Sequence, residues 1–167
     1  MVLLVAAFVL PVIRADQAPQ PLQQKVRHEL VMLPYLSVFD DLAYQVEGDK
    51  VVLMGAVTRP ILKSDAENAV KRVAGVEQVD NRIEVLPLSP MDDNLRLRLY
   101  RSIYSFGPLQ KYSLGVQKSI LIIVKNGHVT LDGVVDNAAD RDMANIRANG
   151  VFGVFSVTDN LRVGSAN

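Results

Sequence analysis

Val51-Val52-Leu53-Met54-Gly55-Ala56-Val57 and Val129-Thr130-Leu131-Asp132-Gly133-Val134-Val135 are one phrase written twice, 78 residues apart. At the same offset Gly75-Val76-Glu77-Gln78-Val79 meets Gly153-Val154-Phe155-Ser156-Val157, and Ile83 and Val85 meet Leu161 and Val163. Over 42–85 against 120–163, 11 of 44 positions are identical, and they fall on apolar residues and glycine. Two copies of one core plan would agree at those positions. A chain of 167 residues holds one ordinary domain or two small ones. The repeat selects two modules, at 22–86 and 90–164.

Each copy parses the same way. Leu22, Val26, Leu30 and Leu33 recur at helical spacing, and so do Leu95, Leu99 and Ile103. Ser89 is a candidate N-cap with Pro90 at the first helical position and Asp92 completing a variant capping box. Pro34 and Gly107-Pro108 are expected to close the two helices. A hairpin follows. Leu42, Tyr44 and Val46 alternate before a Gly48-Asp49 turn, and Ile120, Ile122 and Val124 before Asn126-Gly127. Asn-Gly is a strong type I′ signal because both central residues need positive φ. Gly55 and Gly133 interrupt the second strands, as a bulge or a close helix contact would require. A crossover helix then buries Leu62, Ala66, Val70 and Val73, or Met143, Ala144, Ala148 and Val151. Asn149-Gly150 predicts an early end for the second of these. A last strand covers Val79–Val85 or Val157–Val163.

The fold class is therefore α+β, two α-β-β-α-β modules, each a small three-stranded sheet with two helices packed on one face. The other face is either partly solvated or turned to the other module. Leu86-Pro87-Leu88-Ser89-Pro90 is a short, stiff linker that predicts a defined arrangement of the two. Residues 1–15 read as a signal peptide. Nine apolar residues at 2–10 are too few to span a bilayer, which takes about 20, and Ala15 suits a cleavage site. No Lys or Arg precedes the run and Ile13 stands where a small residue is preferred; a start upstream of Met1 would supply the basic region. The alternative is a buried first element or an uncleaved anchor. Export to the periplasm is the expectation.

Val-x-Leu-x-Gly-x-Val followed by a helix and Gly-Val-x-x-Val-x-Asn-x-Ile resembles the BON domain, the family of bacterial osmotic-stress and nodulation proteins. Copy one carries it at Val51–Val57 and Gly75–Ile83. Copy two carries it at Val129–Val135 and Gly153–Leu161, with Asp159 where copy one has Asn81. The resemblance implies an exported tandem-domain protein without an active site or cofactor, binding phospholipid or envelope surfaces and supporting envelope integrity or osmotic-stress tolerance. With no cysteine for a lipid anchor, it resembles the soluble branch, and membrane contact would be peripheral.

The residues themselves offer little chemistry. Zero cysteines exclude disulfides, thiolate metal sites and cysteine nucleophiles. His28 and His128 are the only histidines and read as solvated, so no catalytic set and no histidine metal cluster is expected. Asp40-Asp41, Asp92-Asp93 and Asp136, Asp140 and Asp142 are paired acids of the kind that bind divalent ions. Asp92 and Asp140 read more simply as first-turn helix charges. Eighteen basic and 18 acidic residues, with no tryptophan, disfavour nucleic acid. The charge is unevenly placed. Residues 16–90 hold 8 basic and 11 acidic residues, net −3; residues 91–167 hold 9 and 7, net +2. Arg96, Arg98 and Arg101 are the densest basic run.

Phe152 and Phe155 have no aromatic counterpart in copy one, where Ala74 and Glu77 stand. They pack against copy one, fill local core, or form an exposed docking wedge. Arg98, Arg101, Arg147, Phe152 and Phe155 are thus the candidate contacts for anionic phospholipid or an envelope protein, with Gly55, Gly75, Gly127, Gly133 and Gly153 as structural glycines. A protein-binding adaptor or chaperone-like stress protein is the alternative function, favoured by broad apolar patches without a basic rim.

Overall fold

The computed structural model describes residues 21–114 and 119–164, so the expected signal at 1–15 lies outside them. The first module runs α1 (Leu22–Val31), β1 (Asp41–Glu47), β2 (Lys50–Val57), α2 (Pro60–Lys71), β3 (Gln78–Asn81) and β4 (Glu84–Val85). The second runs α3 (Pro90–Tyr104), a 3-10 helix (Gly107–Ser113), β5 (Ile120–Lys125), β6 (His128–Val135), α4 (Ala138–Asn149) and β7 (Ser156–Val163). The chain is α+β, built of two repeated modules.

In each sheet the second hairpin strand is central. β2 pairs antiparallel with β1 and parallel with β3 and β4; β6 pairs antiparallel with β5 and parallel with β7. The parallel step needs a crossover, which α2 and α4 supply. Strand side chains alternate between faces, so one face carries Val51, Leu53 and Val57, or Val129, Leu131 and Val135. Val26 and Leu30 of α1 and Leu62, Ala66 and Val70 of α2 bury the first set. Leu95, Leu99 and Ile103 of α3 and Ala144 and Ala148 of α4 bury the second.

Four local expectations change. The first helices end at Val31 and Tyr104, before Pro34 and Gly107-Pro108, and the latter pair opens the 3-10 helix. α4 does not end early: its bounds, 138–149, are those of α2, 60–71, shifted by 78, and Gly150 N donates to Ile146 O at 3.1 Å. The last strand of copy one is broken between β3 and β4, whereas β7 is continuous. At Gly55 a Cβ would lie 2.2 Å from Asp41 O, and at Gly133 2.0 Å from Ser119 O. The neighbouring strand's backbone, not a helix, excludes the side chain, and φ is +107° and +123°. Asn126 and Gly127 take φ 53° and 78°, the type I′ turn, while in the first hairpin only Gly48 is positive.

The 3-10 helix explains a polar group in the second core. Asp140 is buried where copy one has Leu62. A buried carboxylate needs partners. Tyr112 Oη donates to it at 2.5 Å, Asn137 Nδ2 at 3.0 Å, and Lys111 Nζ lies 2.7 Å away. Tyr112 also accepts from Asp136 N at 2.8 Å. Lys111 first, then Tyr112, hold the Asp140 carboxyl below its ordinary pKa.

The modules touch through the 37–40 segment. Ile122 N, on the outer edge of β5, donates to Val38 O at 2.8 Å. The Phe39 ring meets Tyr100 of α3 edge-on at 6.3 Å. Lys125 reaches Glu84 at 2.5 Å. The outer face of the second sheet, at Ile123, Thr130 and Asp132, lines a cleft with Asp41, Ala56 and Leu86 of the first module, so that face turns in part to the other copy.

Candidate surface-binding groove

One side of α3 faces the core through Leu95, Leu99 and Ile103. Met91, Leu97, Arg98 and Arg101 lie off that stripe, and they border a groove of about 900 Å³ whose far wall is the 152–155 turn and whose end is the Asn126-Gly127 turn. The turn points its rings outward because Val151 and Val154 take the inward positions against the second core. Phe152 is 89% exposed, Phe155 80% and Met91 81%. Packing of Phe152 and Phe155 against copy one, or into local core, is thereby excluded.

Neither groove arginine is held by an acid partner. A Cβ on Gly153 would lie 3.2 Å from Arg98 Nη2, so the guanidinium rests on a bare glycine. Among the described residues no carboxylate lies within 4.0 Å of Arg98 or Arg101. Arg96 differs: it is buried, pairs with Asp93 at 2.5 Å and donates to Val124 O at 2.6 Å, leaving its Nε without a partner.

Asp92 fixes the end of the groove. Its backbone N donates to Ser89 Oγ at 3.2 Å, as an N-capped first turn requires. Its carboxylate does not close a capping box. It accepts from Asn126 N at 2.8 Å and Gly127 N at 2.9 Å, tying the hairpin turn to the start of α3. His128 supports the aromatic wall: its ring meets Phe155 at 4.8 Å and its Nδ1 lies 2.8 Å from Ser156 Oγ.

Of the five candidate contacts, Arg98, Arg101, Phe152 and Phe155 come together here. Arg147 does not line the groove. Its Nε donates to Ser102 O at 2.9 Å and its guanidinium stacks 5.1 Å from the Phe106 ring, pinning α4 to α3. Sequence reasoning missed Met91 and Leu97; apolar residues off the Leu95-Leu99-Ile103 stripe were the available signal. Of the other acids, Asp40 is used structurally. Buried Asp40 accepts from Ser37 N and Oγ and from Thr58 N and Oγ1, at 2.5–2.9 Å. No group of three or more His, Asp or Glu among the described residues is arranged to hold a metal ion. No described helix is long and apolar enough to cross a membrane.

The BON domain family matches residues 20–87 and 112–165. The matched segments cover more than half of the chain, which belongs to the BON domain family and carries the domain twice. The second match begins inside the 3-10 helix, so α3, with both groove arginines, lies between the matched segments. Two solved structures similar to this chain are both of CdsD, a structural protein of the type III secretion system of Chlamydia trachomatis. One, its C-terminal domain, is 12% identical with TM-score 0.35, covering 92% of this chain and 100% of that one. The other is 12% identical with TM-score 0.34, covering 86% and 93%. No curated protein matches the chain significantly.

Proposed function

We propose that this protein is a non-enzymatic, peripheral binder of anionic phospholipid surfaces, acting after export at the periplasmic side of the envelope and supporting envelope integrity or osmotic-stress tolerance. The groove of the second module is the contact. One observation carries the reading: two arginines without carboxylate partners stand beside three exposed apolar side chains, Met91, Phe152 and Phe155. Basic residues near an anionic leaflet contribute about 1 kcal/mol each. That attraction is long-range and salt-sensitive. Ring insertion between headgroups supplies short-range adhesion. The net charge of +2 over 91–167 has the same sign. BON domains are generally non-catalytic, and the groove's side chains do not converge on a reacting point.

The test is sedimentation with neutral and anionic liposomes at low and moderate salt. The expected result is binding to anionic vesicles alone, weakened by salt, by Arg98→Ala and by Phe152→Ala. No binding to either vesicle type would overturn the reading in favour of a protein partner, which crosslinking in whole cells would then identify.

A further inference from the structure

Pro34 and Tyr35 form the corner of the turn that leads from α1 toward β1. Tyr35 has φ +69°, in the left-handed region. A proline followed by a positive-φ residue is the type II pattern, whose second corner position calls for Gly or Asn. A tyrosine there strains the backbone. Strain of this kind persists where the side chain is used.

Packing does not use it. The ring is 66% exposed. Its hydroxyl has no hydrogen-bond partner among the described residues. One ring face is covered by the Arg59 guanidinium, 5.3 Å from the centroid. Arg59 has no carboxylate within 4.0 Å among the described residues. Met32, three residues before Tyr35, is 67% exposed, and Ile61, two after Arg59, is 51% exposed. Tyr35 and Arg59 thus set an amphipathic ring against an unpaired planar cation, with an exposed aliphatic side chain close in sequence to each.

We propose that Tyr35, Arg59, Met32 and Ile61 form a second membrane-contact point, on the first module, for the headgroup region of an anionic bilayer. This rests on the reading of the protein as a binder of anionic bilayers and, with the groove, makes the attachment two-point. Tyrosine rings favour headgroup depth, and a guanidinium whose face is stacked keeps its N–H edges for phosphate. The loop is held relative to the groove. Val38 O, three residues after Tyr35, bonds to Ile122 N, and Phe39 packs on Tyr100 of α3, the helix that carries the groove arginines. Two contacts on one framework that meet the same surface reinforce each other through effective concentration.

The experiment compares wild type, Tyr35→Gly, Arg59→Gln and Phe152→Ala for binding to phosphatidylcholine vesicles with and without phosphatidylglycerol, alongside thermal melting. Tyr35→Gly removes the ring and relieves the strain. Its Tm is expected to hold or rise while affinity for anionic vesicles falls about tenfold or more, and Arg59→Gln is expected to lower affinity and its salt dependence. Unchanged affinity for Tyr35→Gly overturns the proposal, and so does a loss of affinity accompanied by a lowered Tm. If Phe152→Ala weakens binding and Tyr35→Gly does not, the groove reading stands and this one fails. If Tyr35→Gly weakens binding and Phe152→Ala does not, this contact stands and the groove reading fails. A wild type that binds neither vesicle overturns both.

Discussion

Leu62 and Asp140 hold the same place in the repeat, yet their surroundings differ in kind. Leu62 is fully buried among hydrocarbon. Asp140 is buried too, but Tyr112 and Lys111 from the 3-10 helix, with the Asn137 cap, occupy its oxygens. Tyr112→Phe keeps the ring and deletes the hydroxyl that serves both Asp140 and Asp136 N. It is expected to cost about 1–3 kcal/mol, the usual price of a stranded buried polar group, read as a lower midpoint in urea unfolding. A pH dependence follows with a definite sign. Lys111 and Tyr112 depress the Asp140 pKa below its unfolded value. This contribution is therefore full above the ordinary aspartate pKa and is lost as pH falls through the depressed value. Acid unfolding of Lys111→Ala should show a flatter limb there than wild type. Gly133→Ala is harsher, since its Cβ would sit 2.0 Å from Ser119 O. A loss of about 2–4 kcal/mol is expected, read in the same unfolding assay.

The last strand of each module is tied to its crossover helix, and the two copies do it with opposite chemistry. In copy one Asn81 Oδ1 accepts from Ile83 N at 3.2 Å, while its Nδ2 donates to Lys63 O at 2.9 Å and Glu67 at 3.0 Å. In copy two Asp159 Oδ1 accepts from Leu161 N at 3.0 Å, and its other oxygen faces Asn145 Nδ2 at 3.4 Å and Arg141 at 4.0 Å. Asn145 and Arg141 stand 78 residues after Glu67 and Lys63, so donor and acceptor have changed sides together. Asn145→Glu alone would oppose two carboxylates and is expected to cost about 0.5–1 kcal/mol at this half-exposed site. Adding Asp159→Asn restores the copy-one arrangement and should recover that loss, a coupling that a double-mutant cycle measures. Elements like these were legible because helices and strands announce their periods, and Asn126-Gly127 announced its turn. The 3-10 helix, the break between β3 and β4 and the Tyr112–Asp140 bond were not, because each depends on contacts between distant stretches of chain. The candidate contacts were legible as residue types. Only packing could decide that Val151 and Val154 turn inward and so turn Phe152 and Phe155 out, or that Arg147 is held by Ser102 away from Arg98.

At the scale of the whole molecule, stability depends on how the modules meet, and one charge pair opposes that meeting. Asp41, at the start of β1, lines the inter-module cleft with Asp132 of β6. Burial, and then the Asp132 carboxylate, raise the Asp41 pKa. Glu84 and Lys125, paired at 2.5 Å, and His128 border the same cleft. A folded-state pKa above the unfolded one means that the proton favours the docked form. The favourable contribution is full below the ordinary aspartate value and is lost as pH rises through the raised one. At neutral pH the two carboxylates therefore work against docking. Asp132→Asn removes the repulsion and keeps Oδ1 for its bond to Gly133 N, 2.6 Å away. Its expected effect is a gain of at most about 1 kcal/mol at neutral pH, or about 2–4 °C in Tm, shrinking toward nothing as Asp41 protonates in acid. Melting curves of both proteins across that range check it. Glu84→Gln supplies the opposite sign, because it breaks an attractive pair worth about 0–1 kcal/mol. If Asp132→Asn melted with wild type at every pH, Asp41 and Asp132 would not share a cleft in solution. The modules would then be held by the Val38 and Phe39 contacts and the Glu84–Lys125 pair, with no opposing charge between them.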